Sequence, residues 1–209
     1  MYVENRYLEH RTVRKRHHIV FIVAAIAIII SIAVDLSLHD WFKYCWWDFG
    51  LAHASSFTPF TNFDNESTIS DVYSDSCQSL KSLVEDNCPN FCTYLNRIEI
   101  GGIFMILLGT LSLIFYFIIV LFHVWSFFKV AFKFKKIWVF LVLPSFFYLT
   151  GIIIYNSCVN ILVIETPHTG RFDIASPKIE VGMYFSYVII PFTILHTAYG
   201  LIKTRIAFK

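Results

Sequence analysis

The sequence predicts an all-α integral membrane protein: a four-transmembrane-helix bundle with a disulfide-stabilised extracellular loop domain, in which a small β element has room. Three observations lead there. The chain has 209 residues, 56% hydrophobic and only 15% charged, against roughly 25% charged in a soluble globular protein. The deficit is confined to four stretches without Asp, Glu, Lys or Arg, namely Ile19–Val34, Ile100–Phe128, Ile137–Ile164 and Val181–Ile202, of 16, 29, 28 and 22 residues. The charges outside those stretches are sorted by sign. A net charge of +2 is far from the basic load of a nucleic-acid binder, so no nucleic-acid partner is expected.

A helix crossing about 30 Å of hydrocarbon needs about 20 apolar residues, and an open strand would leave backbone groups unpaired in lipid. Residues 1–18 read as a cytoplasmic basic tail containing Arg6, Arg11, Arg14, Lys15 and Arg16. The first span, 19–38, starts from the shortest run; Leu36 and Leu38 extend it with Asp35 placed at the interface. It reads as uncleaved, because Asp35-Leu36-Ser37-Leu38-His39 makes a poor signal-peptide cleavage site. A long first extracellular loop, 39–99, leads to the second span, 100–128. A cytoplasmic turn, 129–136, joins it to the third span, 137–164. The second extracellular loop, 165–180, precedes the fourth span, 181–202, and a cytoplasmic tail, 203–209.

Orientation follows from the basic residues. Twelve of the 17 Lys and Arg fall in the two tails and the turn 129–136, with only Glu4 and Glu9 as acids there, so that face carries +10 and the other −8. The excess of Lys and Arg places both termini in the cytoplasm. Lys129, Lys133 and Lys136 share one helical face and are expected to meet anionic lipid headgroups.

Small residues mark helix contacts in lipid, where no hydrophobic force draws helices together. The fourth span carries Gly182, Ser186, Thr193, Thr197 and Gly200 at helical spacing, a packing stripe that also offers a surface for lateral association. Ala24, Ala27 and Ser31 repeat the pattern in the first span, and Gly102 and Gly109 lie seven apart in the second. Pro144 and Pro191 are candidate kinks.

Chemistry-bearing residues concentrate in the first extracellular loop. Cys45, Cys77, Cys88 and Cys92 all fall there, an even set on the oxidising side that reads as two disulfides with three connectivities open. Cys45 joined to one of the later three is the favoured arrangement, and zinc is the rival use, with His39 and His53 isolated in sequence. Asn65-Glu66-Ser67 is an N-glycosylation acceptor triplet. Trp41, Trp46 and Trp47 suit interfacial anchors or a small loop core. Cys88-Pro89-Asn90-Phe91-Cys92 is one residue too wide for a redox Cys-x-x-Cys pair. His123 and His196 stand alone in their spans, and no span encloses an Asp, Glu, Lys or Arg, the usual mark of an ion path or proton relay. No catalytic residue, metal ligand or cofactor is therefore expected, and the chain does not read as an enzyme.

Trp41, Cys45, Trp46 and Trp47 early in loop one, the segment Cys77-Gln-Ser-Leu-Lys-Ser-Leu, and the order of long and short outer loops around a long third helix together resemble the claudin, peripheral-myelin-protein and calcium-channel gamma-subunit superfamily. Here Gly50-Leu51 follows the tryptophans instead of preceding them, the Cys45 to Cys77 interval is long, and two further cysteines are present. The resemblance implies a protein that acts by association, as a cell-contact component or as an accessory subunit of a channel, receptor or other membrane complex. Its partners would be lipids and other integral membrane proteins, in homo- or hetero-oligomers, at the plasma membrane or in the secretory pathway. Two rival expectations are a pore formed by oligomerisation and an accessory subunit of an organellar, respiratory-type complex in an inner membrane.

Overall fold

The structure, a computed structural model, describes residues 2–44, 47–56, 67–79, 91–128, 137–165 and 178–207. The chain opens with helix α1 (Tyr2–Ser37), followed by strands β1 (Phe42–Tyr44), β2 (Trp47–Phe49), β3 (His53–Ser56) and β4 (Ser67–Thr68). A short helix, α2 (Ile69–Val72), runs on into a π-helical turn, Tyr73–Ser79. Two long helices come next, α3 (Phe91–Phe128) and α4 (Ile137–Glu165). Strand β5 (Lys178–Ile179) and helix α5 (Val181–Ala207) complete the described chain.

Four of the helices contain a segment long and apolar enough to cross a membrane: Arg16–Ser37, Phe91–Trp125, Phe140–Val159 and Val181–Ile202. Their outward faces carry large apolar side chains such as Val23, Leu107, Phe117 and Leu195, the arrangement lipid requires and water would penalise. α3 starts at Phe91, well before the charge-free run at Ile100. It packs most extensively against α4, where Gly151 admits Met105 and Phe115 stacks on Phe147.

The loop after α1 and the loop before α5 together build the sheet. Its antiparallel order is β4-β3-β2-β1-β5, so the second loop supplies an edge strand beside the first strand of loop one. The strands are two to four residues long. In β1 the side chains alternate, Phe42 and Tyr44 buried and Lys43 between them not, whereas in β2 the adjacent Asp48 and Phe49 are both buried. At the far edge, Thr68 caps α2 reciprocally with Asp71, its hydroxyl accepting from the Asp71 amide at 3.1 Å. This turns Ile69 and Val72 into the core.

The sheet has no core of its own. Phe42, Tyr44, Phe49 and Leu51 belong to one continuous apolar cluster with Phe91 and Leu95 of α3, Tyr148 and Tyr155 of α4, and Ile28 and Ile32 of α1. The expected disulfide-stabilised loop domain is thus fused to the end of the bundle. Two glycines permit the fusion. A Cβ on Gly102 would overlap the Leu51 carbonyl oxygen, and one on Gly182 would fall 2.6 Å from the Trp41 ring.

One disulfide, Cys77–Cys92, ties the π-helical turn to the first turn of α3. Cys45 and Cys88 lie outside the described residues, as do Trp46, Asn65 of the glycosylation triplet, and Lys129, Lys133 and Lys136. Of the three connectivities open to four cysteines, only one contains Cys77–Cys92. Non-reducing peptide mapping should therefore find Cys45 linked to Cys88, and a Cys77–Cys88 or Cys45–Cys92 peptide would refute this. The closed loop has a separation of 15 residues, for which chain entropy predicts about 3 kcal/mol. The Cys77→Ser/Cys92→Ser variant should unfold at lower temperature, with an unfolding free energy lower by about 3 kcal/mol.

Candidate functional site

The expectation that Asp35 sits at the interface, with no acid enclosed by a span, is corrected by the structure. α1 stays helical through Ser37, and Asp35 continues the stripe of Ala25, Ile28 and Ile32, all buried. That stripe turns the carboxylate inward, between α4 and α5, where its exposure is 0%. The Tyr148 hydroxyl donates to Oδ2 at 2.7 Å, and the Ser186 hydroxyl lies 2.9 and 2.8 Å from the two carboxylate oxygens. Three spans therefore meet at one carboxyl group. Leaving such a group unpaired would cost several kcal/mol or more, so the two hydroxyls decide whether the site is tolerable.

Trp41 sits directly above, completely buried. Its indole N–H donates to the Asp35 carbonyl at 3.1 Å, and its ring edge meets Tyr155 at a centroid distance of 5.1 Å. Its backbone joins the sheet, the amide donating to the Phe49 carbonyl at 2.9 Å and the carbonyl accepting from the Glu180 amide at 3.2 Å. The Gly182 amide donates to the Asp40 carbonyl at 2.9 Å, tying the first turn of α5 to the same corner. Trp41 is therefore the joint between bundle and sheet, while Trp47 is only half-buried. On the sheet, Lys43 and Asp48 are paired across β1 and β2, with an ion pair of 3.2 Å. Burial lifts the Asp48 carboxyl above its ordinary range, and Lys43 pulls it part of the way back.

The α5 stripe is distributed along an internal seam. Gly182 receives Trp41, Ser186 bonds Asp35, and Gly200 lies against Phe21 and Leu141. Thr197 and Ser145 share a 2.7 Å hydrogen bond; the Ser145 hydroxyl also reaches the Thr193 carbonyl, and the Thr197 hydroxyl donates to the Leu141 carbonyl at 3.2 Å. These bonds sit beside Pro144, whose missing N–H leaves α4 short of one backbone bond. Because the stripe is buried within the chain, it is not a free surface for a partner, contrary to one expectation drawn from its pattern. Gly102 and Gly109 do share one face, toward Leu51 and Leu36.

At the opposite end of the bundle, histidines separated in sequence converge. The Nδ1 atoms of His18 and His123 are 3.0 Å apart, His17 bonds the Tyr199 hydroxyl at 2.8 Å, and Phe21 lies between the rings of His123 and His196, each at 4.1 Å. His123 and His196 are thus alone only in sequence. Likewise, His39 and His53 come within 6.3 Å, centroid to centroid. Among the described residues, no group of three or more His, Cys, Asp or Glu side chains converges as a metal site would require.

Four apolar spans, joined through Asp35, Ser145 and Thr197 and carrying a sheet locked to one end, define a four-span integral membrane protein. No protein-family model matches the chain, and no curated protein sequence matches it.

The Asp35 site was missed because a charge at the end of an apolar run looks interfacial. A signal was present in Tyr148 and Ser186, hydroxyls inside spans that need partners in lipid. Asp35→Ala strands the Tyr148 hydroxyl and leaves Ser186 only its 3.2 Å bond to the Gly182 carbonyl, and should destabilise the protein by about 1–3 kcal/mol, whereas Asp35→Asn keeps an acceptor and should cost less. In a double-mutant cycle read by reversible unfolding in detergent, Tyr148→Phe should cost about 1 kcal/mol in the parent and almost nothing beside Asp35→Ala. Equal costs in both backgrounds would remove the bond from the account.

Proposed function

We propose that this protein acts without catalysis, by associating with other integral membrane proteins through its sheet, as an accessory subunit of a membrane complex or as a cell-contact component. The observation that carries the reading is the single core shared by sheet and bundle. A sheet held this way has a fixed height and angle above the membrane, so binding does not have to order it first, which lowers the cost of association. Drawing β5 from the second loop means both outer loops contribute to one surface rather than two mobile ones. The resemblance to the claudin and gamma-subunit type of architecture supports the same role.

Gentle detergent extraction from native membranes, with identification of co-purifying chains, tests this. A defined set of membrane partners should be recovered. Substitutions of exposed sheet residues, His53→Glu and Ser55→Arg, should release them without lowering the yield of folded protein. Recovery of the chain alone and monomeric from native membranes would overturn the proposal.

A further inference from the structure

A groove with a volume of about 500 Å³ runs between α1 and α5, with Val20, Ala24, Ala27 and Ser31 on one wall and Phe192 and Leu195 on the other. It lies between two points where the helices touch. Asp35 and Ser186 close it on the sheet side, and Phe21 packs on Gly200, with His17 bonded to Tyr199, toward the chain termini. Between these points the small side chains of α1 leave space, and Ile28 and Ile189 form the buried floor. The Ser31 hydroxyl is taken up by the Ala27 carbonyl at 2.9 Å, so the groove stays apolar at its deep end.

We propose that this groove binds one acyl chain of an anionic phospholipid from the leaflet on the side of the chain termini. Its length and apolar lining fit an acyl chain. From Val20 to Ser31 the rise is about 16 Å, roughly half of a 30 Å hydrocarbon core, which is the depth of one leaflet. The volume falls in the roughly 300–1,000 Å³ range of small-ligand sites. Charge selects the headgroup. Arg16, Val20, Ala24, Ala27 and Ser31 follow one another at steps of 4, 4, 3 and 4, so they share one face of α1. Arg16 is exposed one turn beyond the mouth, at the level where headgroups lie, and a guanidinium pairs with phosphate in two parallel hydrogen bonds. Arg11, Arg14 and Lys15 precede it and add to the attraction for a net negative lipid.

The full chain is reconstituted in phosphatidylcholine nanodiscs doped with phosphatidylglycerol bearing a diazirine on one acyl chain, then photolysed and mapped by peptide mass spectrometry. Label should concentrate on the peptides containing Ala24–Ser31 and Phe192–Leu195. Ala27→Trp, which fills the groove from an exposed position, should cut that label by about tenfold, and Leu121→Trp on the lipid face of α3 should leave it unchanged. Arg16→Gln should lower the preference for phosphatidylglycerol over an equally labelled phosphatidylcholine several-fold, toward parity. Elution and unfolding temperature of each variant show that it is folded. Label spread evenly over all lipid-facing helices, label insensitive to Ala27→Trp, equal labelling by the two lipids in the parent chain, or a crosslink between two copies at Ala27 would each overturn the proposal.

Discussion

Everything on the sheet side of the molecule depends on one buried carboxylate. Asp35 brings α1, α4 and α5 together through two hydroxyl donors, Tyr148 and Ser186, where complete burial keeps solvent from substituting for either. Its own backbone carbonyl then receives the Trp41 indole, and Trp41 carries the first strand. The order of dependence is therefore side chain, helix junction, tryptophan, sheet. Removing the acceptor loosens more than one pair, because groups stranded in lipid have few alternative partners.

The same rule governs the polar groups deeper in the bundle. Ser145, Thr193 and Thr197 bond one another and nearby carbonyls where Pro144 interrupts the backbone ladder of α4. Tyr116 comes within 3.3 Å of Ser145. These bonds are individually small, about 0.6 kcal/mol on average in membrane bundles, so they locate the helices relative to each other more than they hold them together. Packing around glycine supplies the remainder, as where Gly151 meets Met105 and Gly109 meets Leu36.

The four spans were legible because charge is excluded from lipid so strongly that the runs from Ile100, Ile137 and Val181 have no other reading. The loop after α1 was legible only in composition. Its cysteines marked an oxidised, loop-rich segment, but the sheet is built from strands of two to four residues, too short for alternation to register. One of the two partners of β1 lies in another loop, at Ile179 and Lys178. Asp35 was legible as a charge and misplaced as to environment, since its donors lie 113 and 151 residues away. The histidines at the far end show the same limit. Nothing local to His18 or His123 indicates the other.

The seam between α1 and α5 shows what a small-residue pattern does and does not specify. On α5, Gly182, Ser186 and Gly200 are sites of closest approach, each filled by a residue of α1 or of the turn that follows it: Trp41, Asp35 and Phe21. On α1, Ala24, Ala27 and Ser31 show equivalent spacing, yet they line an open groove. The difference lies in what faces them. Large or polar groups reach across from α1 at either end of the seam, whereas Phe192 and Leu195 opposite the alanines are exposed and turn toward lipid. Small residues permit approach; directional bonds and bulky inserts decide where it happens. Closure at the Asp35 and Phe21 levels and the gap between them therefore follow from which side chains face each other along the seam.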